Sequence, residues 1–380
     1  MVKEGYKQTE LGVIPEDWEV RKLADVLKIR HGKSQKEIVD SNGIYPILGT
    51  GGEIGKTNIP IYTEPSVLIG RKGTIDLPRY MDTPFWTVDT LFYTEIFKNT
   101  DAKFVFYKFN LIDWYSYNEA SGVPSLNAAT IENIEQAFPI LKEEQRSLAQ
   151  ALSDVDDLIA ALDKLIAKKR DLKTATMQQL LTGKKRLPGF GEGQGYKESA
   201  IGLIPEDWDA LRLGDVAPLQ RGFDLPTSQL RRGHYPVVYS NGIINHHSDF
   251  MVKAPGVVTG RSGTIGNVHY VSENYWPHNT ALWVTEFKCN NPKYIYYLYK
   301  SVKLERFGSG SGVPTLNRND VHDWIVSIPK AEEQRAIATV LSDMDKAIAA
   351  IESRLTKTQA IKRGMMQDLL TGRIRLKIKE

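Results

Sequence analysis

Shifted by 190 positions against itself, this sequence meets its own motifs again in the same order. YKQTELGVIPEDW at residues 6–18 returns as YKESAIGLIPEDW at 196–208, GRKGTI at 70–75 as GRSGTI at 260–265, and SGVPSLN at 121–127 as SGVPTLN at 311–317. After one lost residue the shift is 189. EEQR at 143–146 then matches 332–335, LSDVD at 152–156 matches LSDMD at 341–345, and MQQLLTG at 177–183 matches MQDLLTG at 366–372. Chance does not hold a register across motifs of such different composition. The chain is one unit written twice, and any fold without an internal repeat is excluded.

Each copy has two parts of different character. The first, residues 6–139 and 196–329, mixes glycine, proline and aromatic residues with short β-branched runs such as SVLIG at 66–70 and GVVTG at 256–260. That pattern predicts mixed α/β domains, with short strands between turns. The second part, 142–182 and 331–371, lacks proline and keeps a helical apolar period. Its stripes are Leu148, Leu152, Val155, Ile159, Leu162 and Ile166, then Ile337, Leu341, Met344, Ile348, Ile351 and Leu355. They predict two long coiled-coil helices, each spanning roughly 60 Å at about 1.5 Å per residue. Gly183 and Gly372 are natural stops. The expected order is a globular domain over 1–141, a helix over 142–182, a linker over 183–195, a second globular domain over 196–330, a second helix over 331–372 and a basic tail over 373–380.

Charge predicts how the helices pair. Residues 142–163 carry two basic and six acidic side chains, and residues 164–186 carry eight basic and one acidic. The second helix repeats the gradient, two against five over 331–352 and six against one over 353–375. Parallel helices would set like charge beside like, whereas antiparallel helices lay each acidic half on a basic half. The fold class expected is therefore α+β: two similar mixed α/β domains joined by two long antiparallel coiled-coil helices in a pseudo-two-fold repeat.

Bulk composition narrows the function classes. No apolar run is long enough for a membrane helix, and the opening MVKEGYKQTELG lacks the apolar core of a secretory signal, so a cytoplasmic protein is expected. Cys289 is the sole cysteine, which rules out an intramolecular disulfide and a cysteine-rich zinc site. A net charge of +3 neither requires nor forbids a nucleic-acid partner.

Catalytic signatures are missing from the sequence. It holds no Asn-Pro-Pro-Tyr or Asp-Pro-Pro-Tyr tetrapeptide of the kind amino-methyltransferases use, which speaks against a self-contained methyltransferase. The nearest phosphate-loop candidate, residues 50–57, begins with Thr50 in place of the required glycine, and its repeat at 240–247 loses Gly-Lys-Thr, so a glycine-rich turn is the better reading. His246 and His247 could ligate a metal, but Lys56 and Thr57 replace them in the first copy and no cysteine lies near. Loop polarity or a phosphate contact suits them better. Glu16, Asp17, Glu206 and Asp207 follow proline ahead of tryptophan, where turn and cap chemistry accounts for them. No cofactor and no catalytic residue are expected.

Along its whole length the chain resembles the specificity subunits of type I restriction-modification enzymes. The resemblance rests on the duplicated IPEDW openings, GVPxLN turns, EEQR entries and MQxLLTG exits. It implies two target recognition domains, each reading half of a split double-stranded DNA target, with the helices measuring the unread spacer. It also implies partners: two modification subunits that methylate, and restriction and translocation subunits in the full complex.

Within that frame, the GRKGT and GRSGT loops follow β-branched runs and set an arginine between glycines, where backbone can turn tightly near a phosphate. Arg71, Lys72, Thr74 and Lys56, with Arg261, Ser262, Thr264, His246 and His247, are the candidate DNA contacts. Arg71 and Arg261 are shared by two domains expected to read different half-sites, which favours phosphate over bases. Gln145, Arg146 and Gln178, with Gln334, Arg335 and Gln367, are candidates for partner docking, unless they only cap and pack the helices.

Overall fold

The computed structural model describes residues 2–309 and 312–376. Ser311 of the second SGVPTLN copy and residues 377–380 of the basic tail lie outside the described residues. The chain divides into two compact units, residues 1–163 with 353–380 and residues 164–352.

In the first unit the strand Ser66–Gly70 is buried at every position. It pairs antiparallel with Leu91–Ile96 and Arg79–Met81, and Leu27–His31 completes a four-stranded sheet. A strand covered on both faces explains why SVLIG is continuously apolar rather than alternating. A second sheet joins Gly52–Thr57, Tyr45–Gly49 and Trp86–Thr87, the last pair parallel. The helix Ala102–Phe109 begins at Asp101, whose carboxylate accepts the Phe104 N–H at 2.9 Å, and it buries Phe104, Val105 and Phe109 in the core.

The second unit has the same strand order. Leu219–Arg221, Ala281–Val284, Gly256–Gly260 and Val268–Val271 form its four-stranded sheet, and Gly242–His247, Tyr235–Tyr239 and Trp276–Pro277 the smaller one. Even the register irregularity recurs, between Ile47 and Leu48 and between Val237 and Val238. The sequence shift is thus a structural register.

The long helices run over Lys142–Leu180 and Ala331–Leu369. In the first unit Leu148, Ala149 and Leu152 share one core with Leu369 and Leu370, and Asp156 pairs with Lys362 at 2.5 Å. In the second unit Leu180 and Leu181 share a core with Ile337, Ala338 and Leu341, while Asp345 pairs with Lys173 and Glu352 with Arg170. Within each unit the acidic head of one helix lies on the basic tail of the other, the antiparallel pairing that the charge gradient predicts. Among the described residues no helix is long and apolar enough to cross a membrane.

The helix exits dock on the IPEDW motifs. Gly183 and Gly372 have φ of 69° and 74°, so they end their helices in a left-handed turn. A Cβ there would fall 2.5 Å from Pro205 Cγ and 2.4 Å from Pro15 Cδ. Trp18 and Trp208 are buried beside them, donating their indole N–H to Glu144 at 3.3 Å and Glu333 at 3.0 Å. Arg375 then bridges Asp17 and Glu144, and Arg186 bridges Asp207 and Glu333. The turn-and-cap reading of Asp17 and Asp207 is corrected here, because both are ion-pair partners of arginines drawn from the other sequence copy. Glu16 and Glu206 stay exposed in the turn.

Candidate nucleic-acid interface

The GRxGT loops owe their shape to their glycines. A Cβ on Gly70 would lie 1.9 Å from the Thr74 carbonyl oxygen, and one on Gly260 would lie 1.7 Å from that of Thr264. Gly73 and Gly263, at φ of 89° and 83°, complete the reversal. Each loop is then stitched to its surroundings by the backbone. The N–H groups of Arg71 and Lys72 both donate to the Thr90 carbonyl, at 2.8 and 3.2 Å, and Gly73 N–H donates to Pro124 at 2.9 Å. In the second unit Arg261 and Ser262 donate to Thr280 at 2.8 and 3.1 Å, and Gly263 donates to Pro314 at 3.0 Å. Two motifs far apart in sequence, GRxGT and GVPxLN, therefore form one surface in each unit.

The hairpin turn beside this surface is held from below. Arg79 Nη2 donates to the Thr50 carbonyl at 2.7 Å. His269 stands at the matching sequence position in the second unit, with its ring beside Gly242 of the corresponding turn. Burial lowers the His269 pKa, which favours the neutral ring, and among the described residues its Nε2 has no partner, so the second unit lacks the permanent cation found here in the first.

Most of the sequence candidates reach this surface or its hairpin. Lys72, Lys56, Thr264 and His246 are exposed, and Arg71, Thr74, Arg261 and Ser262 are half-buried. A recess of ≈ 360 Å³ is lined by His31, Arg71, Lys72, Glu119, Ser125 and Asn127. Arg71 Nη1 donates to the Asp89 carbonyl at 3.2 Å, which steadies the guanidinium at the rim. Fixed backbone, exposed cations and hydroxyls suit an anionic, hydrogen-bonding partner. Among the described residues no group of three or more His, Cys, Asp or Glu is placed to hold a metal.

His247 is a correction. It is 5 % exposed, and its Nδ1 accepts the Arg231 N–H at 3.0 Å, so it pins a loop from inside rather than facing a partner. Strand alternation explains this, since Lys56 and His246 point out where Thr57 and His247 point in. The glycine-rich segment at 50–57 is the turn and second strand of a β-hairpin, paired antiparallel with Tyr45–Gly49, and not a phosphate loop leading into a helix.

Gln145 and Gln334 are corrected in the same way. Both are buried; their side-chain oxygens accept the N–H of Asp101 and Asn291, each at 2.9 Å, and their amides donate to Pro139 and Pro329. They latch each long helix to the capping residue of a domain helix and offer nothing to a partner. Arg146 and Arg335, with side chains 60% and 59% exposed, and Gln178 and Gln367 remain at the surface.

Sequence reasoning missed one repeated network. Tyr107 donates to Asp156 at 2.8 Å and Tyr297 to Asp345 at 2.7 Å, and the same carboxylates hold Lys362 and Lys173. Burial and the adjacent carboxylates push both tyrosines up. Burial also works to raise Asp345, but Lys173 and Tyr297 outweigh it and hold the carboxyl below its ordinary value. The signal was present, because Lys173 and Lys362 obey the 189-residue shift.

The family model described as type I restriction modification DNA specificity domain matches residues 15–169 and again 205–363. A putative type I restriction enzyme MjaX specificity subunit from Methanocaldococcus jannaschii is 26% identical, covering 99% of this chain and 98% of its own. The type I restriction enzyme MjaVIII specificity subunit of the same organism is 25% identical, over 99% of this chain and 97% of its own. Among solved structures, the type I restriction-modification S subunit from M. genitalium superposes with a TM-score of 0.65 at 16% identity, covering 93% of this chain and 96% of its own.

Proposed function

This chain belongs to the type I restriction-modification DNA specificity family, and from that premise we propose that each of its two units reads one half of a split, asymmetric double-stranded DNA target. It is a non-catalytic specificity subunit; methylation and restriction reside in partner subunits. A self-contained methyltransferase or nuclease, and a coiled-coil scaffold without a DNA role, are set aside by that membership.

One observation carries the reading of two different half-sites. The same stitched surface is built twice, yet its side chains diverge: Lys72 stands where Ser262 does, Asp76 where Gly266 does, and Gly51 where Asn241 does. A shared frame with different exposed chemistry suits two readers of different sequence. Arg71 and Arg261, common to both, take phosphate; Lys72, Thr74, Lys56, Ser262, Thr264 and His246 lie where base edges or further phosphates would come. The protein works where genomic DNA lies, in the cytoplasm. Arg146, Arg335, Gln178 and Gln367 are the surface positions through which two modification subunits dock, with restriction and translocation subunits joining in the full complex. Sequencing the methylated positions in DNA from the source cell tests the proposal. A split target with unlike halves is expected, and a continuous or palindromic target would contradict it.

A further inference from the structure

The segments between Gly32 and Gly43 and between Gly222 and Gly233 are equal in length and share no residue in register, KSQKEIVDSN at 33–42 against FDLPTSQLRR at 223–232. Elsewhere the domains keep recognisable motifs, so a complete loss of identity inside a loop of conserved length is itself a signal. The frame around each loop is the same. A Cβ on Gly32 would fall 2.1 Å from the Val88 carbonyl oxygen, and one on Gly222 would fall 2.2 Å from that of His278. Lys33 N–H donates to Thr87 and Phe223 N–H to Pro277, each at 2.8 Å. The Trp86 indole donates to the Lys33 carbonyl at 2.9 Å, and Trp276 repeats this with Phe223 at 3.4 Å. At the far end a Cβ on Gly43 would lie 2.4 Å from the Thr57 nitrogen, and one on Gly233 would lie 2.2 Å from the His247 oxygen. Glycine is required at both ends by close backbone approach; between them Ile38 and Leu225 pack inward and Asp40 accepts from Asn42 and Asn58, while the exposed positions are left open to change.

The position of the loop matters as much as its variability. It starts on the backbone of Val88 or His278, in the same turn whose Thr90 or Thr280 carbonyl holds the shared arginine loop. It ends beside Lys56 or His246. Its middle is exposed: Ser34, Lys36, Glu37 and Val39 in the first unit, Asp224, Thr227, Gln229 and Arg232 in the second. Val39 apart, these side chains carry donors and acceptors of the kind that distinguish bases in the major groove, where arginine suits guanine, glutamine suits adenine and a carboxylate suits the cytosine amino group, although Asp224 already accepts from Arg221 and Asn279.

We infer that residues 33–42 and 223–232 are interchangeable specificity loops: each decides which bases its unit reads, while the glycine frame and the GRxGT loop only place it. This rests on the reading that the units bind DNA. The test replaces residues 33–42 in the full chain with the sequence of 223–232, expresses it in the source cell in place of the parent, and maps the methylated target. A changed first half-site, with the second half-site and the spacer kept, is expected. A graft that methylates the parental target overturns the inference. If the graft does not methylate, the gentler K36A/E37A variant decides: relaxation at one or two positions of one half-site supports the inference, and an unaltered target overturns it. A parent chain that directs no split target in the same cell would instead sink the underlying proposal of DNA reading.

Discussion

Arg186 grips the carboxylate of Glu333 through Nε and Nη2 at 2.5 and 2.7 Å, across 147 residues of sequence. The same guanidinium holds both oxygens of Asp207 at 2.9 Å. Glu333 is 3% exposed, so its charge is tolerated only because the arginine is there. In the first unit Arg375 does the same for Glu144 and Asp17, in a wetter setting, with Asp17 53% exposed.

Removing Arg186 leaves a buried carboxylate unpaired. Arg186→Ala should cost about 3 to 5 kcal/mol in urea denaturation, more than Arg375→Ala. Hydrogen bonding to Arg186 also holds the Asp207 carboxyl below its ordinary value of 3.8. A depressed folded-state pKa contributes stability above the unfolded value and loses it as pH falls through the folded one. The parent should therefore weaken more steeply than Arg186→Ala on acidification below about pH 4. Equal acid slopes would contradict this.

Lys108 is buried with its ammonium donating to the Leu370 carbonyl at 3.1 Å, and burial lowers its pKa from 10.5 to about 7. Between those values the unfolded chain holds a proton that the folded chain gives up. Stability should thus rise as pH climbs from about 7 towards about 10. The second unit has Leu298 at this position. Lys108→Leu should flatten that rise and stabilise the protein at pH 7 by on the order of 1 to 3 kcal/mol. Urea midpoints across a pH series would show it, and an unchanged slope would refute it.

For Arg71→Ala, DNA binding should weaken uniformly and the salt slope should shrink by about one unit, with the preferred half-site unchanged. Binding to single-base variants at two salt concentrations separates the outcomes. Relaxation at one base position would make Arg71 a base reader, and unchanged affinity in a folded variant would remove the loop from the interface.

If the paired helices measure the unread spacer, both must be lengthened together. Thr182–Gly183 is a poor place for an insertion, because Gly183 is pressed on Pro205. About seven residues added after both Asp163 and Glu352 would keep the apolar stripes in phase and add about 10 Å, roughly three base pairs. Methylation mapping should find a longer spacer between unchanged half-sites. An altered half-site with the old spacer would show that the helices do not set the distance.

Sequence by itself determined what depends on pattern. The repeat register predicted two like units, and the bulge shared by Ile47 and Val237 shows that register preserved in three dimensions. Charge along the helices determined their antiparallel pairing, because electrostatic complementarity between long elements survives any detail of packing. Tertiary structure decided what depends on partners distant in sequence. A polar residue in a motif reads the same whether it faces solvent or core, and Gln145, Gln334 and His247 proved to face inward. Nothing local tells Arg186 that it will serve Trp208 and Glu333, or Arg375 that it will serve Trp18 and Glu144. Those pairings arise only once antiparallel helices carry the end of each copy to the start of the other. Glycine marks the same divide: Gly32 and Gly43 look like ordinary loop residues until the Val88 and Thr57 backbones arrive within a Cβ's reach.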